Sequence, residues 1–173
     1  YALMIKYLQA FCADAVVGLP SIIVKLAEEV ERIGAALQIQ KVLYGGEHMR
    51  PQTVDFLKRV LGCKFVRSAG YACVDTGPIG YQCRYLEGSL HHVLQGYQIV
   101  EILDAETGEL INDERPGEIV TTCLARRLMP VVRYRTGDMG RWIEPKNAAE
   151  CPCGYRGQTF ELLGRCDDLL VVG

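Results

Sequence analysis

The sequence predicts an α/β protein in which a parallel sheet with crossover helices is followed by an antiparallel β meander or barrel part. In the first part, helix-like and strand-like runs alternate with short links, which favours parallel strands joined by right-handed crossovers. After Tyr81, short alternating runs are separated by turns rich in Gly, Pro and Asp, which favours antiparallel pairing. We therefore expect a parallel α/β layer over residues 1–80 and a mostly antiparallel part over residues 81–163.

Apolar spacing places three helices and three strands in the first part. Ser21 is a plausible N-cap for the second helix, and Gly34 and Gly62 can end the second and third helices. The predicted helices cover residues 2–12, 21–34 and 51–62. The predicted strands cover residues 13–19, 41–44 and 64–67.

The second part carries shorter strand-like runs between turn sequences. Ala105-Glu106-Thr107-Gly108 and Glu114-Arg115-Pro116-Gly117 both read as turns, because Gly and Pro supply the dihedral angles that turns need. The predicted strands here cover residues 97–104, 109–111, 118–124 and 130–134.

Composition excludes several classes of function. The 173 residues are 49% apolar and 23% charged, which suits a globular domain with a real core. A net charge of −2 favours neither a nucleic acid nor an anionic membrane as partner. Lys6, Asp14 and Lys25 interrupt the most apolar part, so no run is long enough to span a bilayer, and no signal peptide is visible.

Eight cysteines are a high count for this length. They are scattered through helix-like and strand-like runs, with one close pair at Cys151 and Cys153. This pattern suits a reducing cytoplasm and one metal site better than a disulfide framework.

The sequence pattern predicts that both ends of the chain lie within secondary-structure elements. The chain opens at Tyr1 inside a helical pattern and closes at residues 169–173 in a strand-like run that needs a partner. We therefore expect a fragment of a longer polypeptide, with unpaired ends that favour association, for example into a homodimer.

The stretch at residues 129–138 carries the first hint of function. An apolar strand-like run ends in Arg-Thr-Gly-Asp, and Gly137 allows a tight turn at the end of the strand. Asp138 would then be a fixed acceptor for two hydroxyls of a vicinal diol such as a ribose. The alternative is a basic edge strand followed by an ordinary turn aspartate.

Five motifs in this order resemble the AMP-forming acyl-adenylate ligases. Within them the chain looks closest to the phenylacetate–CoA ligase group, which includes the coenzyme F390 synthetases. The motifs are Gly-Gly-Glu at 45–47, Tyr-Ala-Cys-Val-Asp at 71–75, Asp-Ala-Glu-Thr-Gly-Glu at 104–109, Tyr-Arg-Thr-Gly-Asp at 134–138 and Gly-Arg-Cys-Asp-Asp at 164–168.

The resemblance implies a two-step reaction. A carboxylate attacks the α-phosphate of ATP to give acyl-AMP and pyrophosphate, and a thiol, usually CoA, then takes the acyl group. The implied cofactors are ATP/AMP, Mg²⁺ and CoA. The implied partner is a small carboxylic acid, for example an aryl acid such as phenylacetate.

The resemblance also implies roles for single residues. Gly45, Gly46 and Glu47 would line an adenine pocket, although Gly45-Gly46 could equally be a strand-to-helix turn. Tyr71 would stack on the adenine beside Ala72. The remaining implied roles are magnesium binding in catalysis for Asp75, ribose binding for Asp138, and contact with ribose and phosphate for Arg165.

The sequence departs from the family pattern in two ways. The pattern Tyr-Gly-x-Ser/Thr-Glu becomes Tyr-Ala-Cys-Val-Asp here, so Val74 lacks a hydroxyl and Asp75 is one methylene shorter than Glu. The family's Ser/Thr/Gly-rich phosphate loop and its catalytic lysine match nothing in these 173 residues. Without a cation at the developing charge, we expect the isolated chain to be inactive or nearly so. By resemblance, residues 164–173 form a hinge to a C-terminal domain.

A structural zinc site is a separate expectation. Cys151 and Cys153 can chelate one Zn²⁺, which needs two more ligands. The candidates are Cys83 and one histidine of the His91-His92 pair. Resemblance to ligases with a comparable Cys/His site supports this set, and alignment to Glu101 favours His92. The alternative is free cysteines, since Cys is often buried with no chemistry.

Two further functions stay open. One is a non-catalytic, zinc-stabilised nucleotide-binding module. The other is adenylyl transfer to coenzyme F420, as in F390 synthesis, which keeps the adenylation and changes the acceptor.

Overall fold

The structure, a computed structural model, describes residues 1–143 and 151–168. The chain divides between Ala69 and Gly70 into two compact units. This division falls earlier than the predicted change of character near Tyr81, because residues 71–81 pair within the antiparallel sheet. The strand-like run predicted at residues 169–173 lies outside the described residues.

The first unit is a parallel three-stranded sheet with helices, as predicted. Its strands lie in the order β1-β2-β3, and each pairs in parallel with its neighbour. The strands are β1 (Ala15–Gly18), β2 (Lys41–Tyr44) and β3 (Phe65–Ser68). The helices are α1 (Ala2–Ala10), α2 (Pro20–Ile33) and α3 (Pro51–Leu61). Their apolar faces form a single buried core with the sheet.

The helix ends confirm two predictions and correct one. Gly34 and Gly62 cap α2 and α3 in the left-handed conformation, with φ of +64° and +67°. Ser21 is not the N-cap of α2, because Pro20 takes the first helical position and Leu19 precedes it as the cap. No helix in the described ranges is long and apolar enough to cross a bilayer.

The second unit contains a seven-stranded antiparallel sheet, which confirms the predicted β part. The strand order is β4-β5-β6-β10-β9-β8-β7. The chain therefore runs from β6 to the far edge and meanders back until β10 pairs with β6. The strands are β4 (Tyr71–Cys73), β5 (Gly77–Tyr81), β6 (Leu90–Val93), β7 (Gln98–Leu103), β8 (Gly117–Cys123), β9 (Tyr134–Ile143) and β10 (Thr159–Arg165).

Two strand predictions were wrong. The strand predicted over residues 130–134 begins only at Tyr134, after Arg133 with φ of +47°, and runs on to Ile143. Gly137 has the expected positive φ of +72°, but it lies inside this strand at a register shift and not in a turn at its end. The predicted return strand at 109–111 is reduced to one bridge between Leu103 and Leu110.

The core of the second unit centres on Phe160 of β10, which is fully buried. Its ring stacks on His91 and meets Tyr71 and Trp142 edge-on. One face of the sheet is thereby closed by aromatic side chains from β4, β6, β9 and β10. This packing holds Tyr71, one of the predicted site residues, against Phe160.

Candidate functional site

Asp138 lies at the centre of a small polar network. One carboxylate oxygen accepts a hydrogen bond from the Tyr71 hydroxyl at 2.7 Å, and the other accepts one from Arg165 Nη1 at 3.1 Å. Arg165 is the direct cross-strand partner of Asp138 in the β9–β10 register. The side chain of Asp138 is 15% exposed, whereas that of Arg165 is 53% exposed. The structure thus brings together three of the predicted site residues.

Local backbone geometry holds this arrangement. The Thr136 hydroxyl donates to the carbonyl of Ile119 and accepts the Asp138 N–H at 3.1 Å. Arg165 also donates to the Thr136 carbonyl, so it spans the bulge at Gly137. A Cβ on Gly137 would lie 2.9 Å from Nη2 of Arg165, so glycine leaves the space that the guanidinium occupies. We call Tyr71, Thr136, Asp138 and Arg165 the Asp138 network.

Tyr71 is the buried member of this network. Its side chain is 7% exposed, and its ring packs edge-on against Phe160 at 5.8 Å. Burial raises the pKa of its hydroxyl, which therefore stays protonated and donates to Asp138. The charge of Asp138 likewise raises the pKa of Arg165. Ala72 follows on β4 with an exposed side chain. Adenine stacking on Tyr71 stays a prediction.

Asp75 lies on an exposed turn between β4 and β5. One of its carboxylate oxygens accepts a hydrogen bond from the Tyr134 hydroxyl at 2.6 Å, and this contact raises the pKa of Tyr134. Sequence reasoning did not single out Tyr134 as functional, although it is the first residue of the Tyr-Arg-Thr-Gly-Asp motif. Its contact could not be read from the sequence, because Asp75 is 59 positions away.

The Gly-Gly-Glu motif belongs to the first unit and follows β2 directly. The N–H of Gly45 donates to the Gly18 carbonyl, and Gly46 has φ of +78°. The Glu47 carboxylate accepts the Ser21 N–H at 2.9 Å and the Ser21 hydroxyl at 2.8 Å. Glu47 therefore caps the N-terminus of α2, where a negative charge is favourable. The predicted adenine contact of these three residues is not tested by this geometry.

Four predicted metal ligands converge in the second unit. Their ligand atoms all lie within 4.8 Å of one another, although the residues come from three separate stretches of sequence. Sγ of Cys83 lies 3.6 Å from Sγ of Cys151, and Sγ of Cys153 lies 3.5 Å from Nε2 of His92. We call Cys83, His92, Cys151 and Cys153 the Cys/His cluster.

Strand alternation places His92, and not His91, on the side of the sheet that faces the cysteines. Nε2 of His92 faces the cysteines, and its Nδ1 lies 2.8 Å from the Thr159 hydroxyl, its cross-strand partner on β10. His91 points to the opposite face, where its ring stacks on Phe160. Burial lowers the pKa of His92, which favours the neutral imidazole that can bind a metal.

The thiols of this cluster are free. All eight cysteines fall in the described ranges, and none forms a disulfide. Burial, with hydrogen bonds among the thiols, raises the pKa of Cys151 to about 11. The backbone N–H of Tyr85 points at Sγ of Cys83 at 3.4 Å.

Two separations within the cluster are close to those of a zinc site. Tetrahedral Zn²⁺ with Zn–S of about 2.3 Å and Zn–N of about 2.05 Å sets roughly 3.8 Å between two sulfurs and 3.5 Å between sulfur and nitrogen. The 3.6 Å and 3.5 Å separations are close to these values. A set of three thiols and one imidazole is also the donor chemistry that structural zinc prefers.

Comparisons with known proteins identify relatives of the whole chain. A family model described as AMP-binding enzyme matches residues 2–123. A phenylacetate-coenzyme A ligase of Pseudomonas putida is 27% identical over 171 residues, which cover 97% of this chain and 37% of the relative. A phenylacetate-coenzyme A ligase of Thermus thermophilus is 27% identical over 173 residues, which cover 97% of this chain and 38% of the relative. The chain thus spans little more than a third of the curated relatives that it matches.

Solved structures show the same fold. A 2-hydroxyisobutyryl-CoA ligase in an open conformation, in complex with 2-HIB-AMP and CoA, matches with a TM-score of 0.80 at 22% identity. The match covers 99% of this chain and 40% of that one. VinN matches with a TM-score of 0.58 at 21% identity, over 93% of this chain and 42% of that one.

Proposed function

Because the chain belongs to the AMP-binding enzyme family, we propose that it binds ATP and AMP as part of an AMP-forming acid–CoA ligase. The names of the relatives support CoA as the acceptor and an aryl acid such as phenylacetate as the substrate. The chain covers 37–38% of those relatives, so the activity of a whole ligase is part of the proposal.

The observation that carries the proposal is the arrangement around Asp138. A carboxylate has about four lone-pair sites, and Tyr71 and Arg165 use one on each oxygen. Two sites remain, one on each oxygen, for the two hydroxyls of a ribose. Since the protein itself fixes the carboxylate, a ribose would meet an acceptor that is already oriented.

The proposed chemistry gives each site residue a task. A carboxylate oxygen of the acid attacks the α-phosphorus of ATP, pyrophosphate leaves, the CoA thiol attacks the acyl carbon, and AMP leaves. Asp138 orients the ribose, and Arg165 places a positive charge beside it. Asp75 would hold Mg²⁺, which when bound spreads the negative charge of the phosphates. The adenine contacts proposed by resemblance are those of Gly45, Gly46, Glu47, Tyr71 and Ala72.

We propose that the Cys/His cluster holds one structural Zn²⁺. The metal would tie the loop after β5 to the loop before β10, two segments that are 68 positions apart at Cys83 and Cys151. Such a link stabilises irregular chain that has little core of its own. Three free thiols in one site are typical of a reducing compartment, so we propose a cytoplasmic location.

The test is nucleotide binding by this 173-residue chain. A fluorescent ATP analogue should bind and be displaced by ATP and AMP, and Asp138→Ala should weaken binding at least tenfold because the ribose loses a charged acceptor. Asp113→Ala, which removes an exposed aspartate of the same unit, is the matched control.

Two outcomes would contradict the proposal. One is no competition by ATP or AMP in the folded wild-type chain, and the other is equal binding by wild type and Asp138→Ala. Pyrophosphate release with ATP, CoA and phenylacetate should stay near background for this chain, because its sequence contains no match to the catalytic lysine segment.

A further inference from the structure

The turn that carries Asp75 is held by side chains from three other parts of the second unit. Residues 74–76 connect β4 to β5. Arg126 Nη2 donates to the Val74 carbonyl at 3.2 Å, and the Tyr134 hydroxyl donates to Asp75 at 2.6 Å. Gln98 Nε2 donates to the carbonyl of Thr76 at 2.8 Å. The turn thus joins the exposed Val74 and Asp75 to the fully buried Thr76, and each of the three residues is contacted from another segment.

Gln98 anchors the backbone of the turn to the neighbouring strands. Its side chain is 3% exposed, and its Nε2 also donates to the Pro78 carbonyl at 3.0 Å. Its Oε1 accepts the hydroxyl of Thr121, which is fully buried. Both ends of the Gln98 amide are therefore satisfied, which makes the network rigid and costly to break.

The same strands place Tyr134. Tyr134 is the direct cross-strand partner of Thr121 in the β8–β9 register. The residue that anchors Gln98 and the residue that contacts Asp75 are thus neighbours on the sheet. Gln98, which Thr121 anchors, holds the backbone of the turn, and Tyr134, the cross-strand partner of Thr121, holds its carboxylate.

The contact leaves one face of the carboxylate available. Tyr134 occupies one oxygen of Asp75, and the side chain is otherwise exposed to solvent. A free aspartate would sample several rotamers, whereas Mg²⁺ demands near-ideal octahedral geometry at 2.0–2.1 Å. Holding one oxygen fixes the direction in which the other points.

We propose that Tyr134 is a positioning residue, which orients Asp75 so that its second oxygen can bind the divalent cation of a cation–nucleotide complex. The proposal rests on the proposed nucleotide-binding function. It accounts for an aspartate one methylene shorter than the family's glutamate, because the tyrosine gives the short side chain one defined orientation.

The test is a double-mutant cycle on nucleotide affinity. The fluorescent ATP analogue is titrated into wild type, Tyr134→Phe, Asp75→Ala and the double variant, with Mg²⁺ and then with EDTA. Tyr134→Phe should weaken binding about fivefold with Mg²⁺ and leave it unchanged with EDTA. In the Asp75→Ala background the second substitution should have no further effect, because the tyrosine acts through the aspartate.

Two further measurements exclude a purely structural effect. Tyr7→Phe removes the hydroxyl of an exposed tyrosine in the first unit and should bind like wild type. With Mn²⁺ and ATP, paramagnetic broadening of resonances from the turn should be strong in wild type, reduced in Tyr134→Phe and lost in Asp75→Ala.

Additive losses in the cycle, or equal losses with and without Mg²⁺, would overturn the proposal for Tyr134 and leave the proposed nucleotide binding intact. Absence of nucleotide binding in folded wild type would overturn both.

Discussion

The Asp138 network and the Cys/His cluster both join polar side chains from distant parts of the sequence, and they differ in how their charges are balanced. Each gathers side chains that are far apart in the sequence, 67 positions for Tyr71 and Asp138 and 68 for Cys83 and Cys151. In the Asp138 network, an acceptor is met by donors of the protein itself. In the Cys/His cluster, four electron-pair donors face one another.

This difference separates two kinds of binding site. A carboxylate satisfied by a tyrosine and an arginine is stable without its ligand, and a ligand adds to an arrangement that already exists. The Cys/His cluster brings four donors within 4.8 Å of one another, and we propose that a metal supplies the positive charge that balances them once the thiols are deprotonated. We therefore expect the network to tolerate ligand removal and the cluster to depend on its metal.

Zinc removal should have the largest effect. Chelation should lower the free energy of unfolding of the second unit by on the order of 5 kcal/mol, since structural zinc contributes directly to folding. Denaturant unfolding, followed together with zinc content, measures this. Cys151→Ser should abolish stoichiometric zinc, whereas Cys12→Ser, at an exposed position in the first unit, should not change it. If the chain purifies without zinc and unfolds identically with and without chelator, the Cys/His cluster does not depend on a metal, and the contrast with the Asp138 network is wrong.

A smaller effect is expected at the residue that orients His92. Thr159→Val removes the hydroxyl that faces Nδ1 and keeps the shape of the side chain, so zinc affinity should fall about 10- to 100-fold. Thr159→Ser should restore most of it. Competition with a chromophoric chelator gives the affinity, and the absorption of bound Co²⁺ reports the ligand geometry. Unchanged affinity in Thr159→Val would show that backbone pairing alone orients the histidine.

The smallest effect is expected at Gly137, which lies beside Arg165 of the Asp138 network. Gly137→Ala places a side chain at φ of +72° and displaces Arg165, so it should cost about 1–2 kcal/mol of stability. Gly108→Ala is the matched control, since its φ is +73° and nothing lies within 4 Å of the added Cβ. The excess loss at Gly137, measured by denaturant unfolding, isolates the Arg165 contact. Equal losses at the two glycines would mean that this contact contributes nothing.

Local patterns predicted the first unit well because its signals are local. Gly34 and Gly62 end helices by their own backbone freedom, and β2 follows from one apolar run. Ser21 was misassigned because Pro20 takes the first helical position, so the helix begins before Ser21. The contact of Ser21 with Glu47 could not be read from a short window, because Glu47 is 26 positions away.

The second unit was predicted less completely because its order depends on distant pairing. Gly137 was correctly expected to have positive φ, but whether it lies in a turn or in a bulge is decided by its neighbours on β8 and β10. The convergence of Cys83, His92, Cys151 and Cys153 could be predicted because their chemistry is conspicuous and resemblance suggested the set. Tyr134, Gln98 and Thr159 were not found, because a tyrosine, a glutamine or a threonine becomes informative only when its partner is known.

The adjacent histidines of β6 have a consequence for errors in strand pairing. A slip of β6 by one residue against β10 would turn His91 towards the cysteines and move Leu90 into the core beside Phe160. The slipped strand would still present a histidine to the cysteines and an apolar residue to the core, so the proposed metal site alone does not specify the register. Other contacts must therefore fix the register of β6. The Tyr155 hydroxyl donates to the Val93 carbonyl, and the Val93 N–H donates to the Gln158 carbonyl. The backbone contacts of Val93, the residue that follows the histidine pair, therefore help to fix the register of β6.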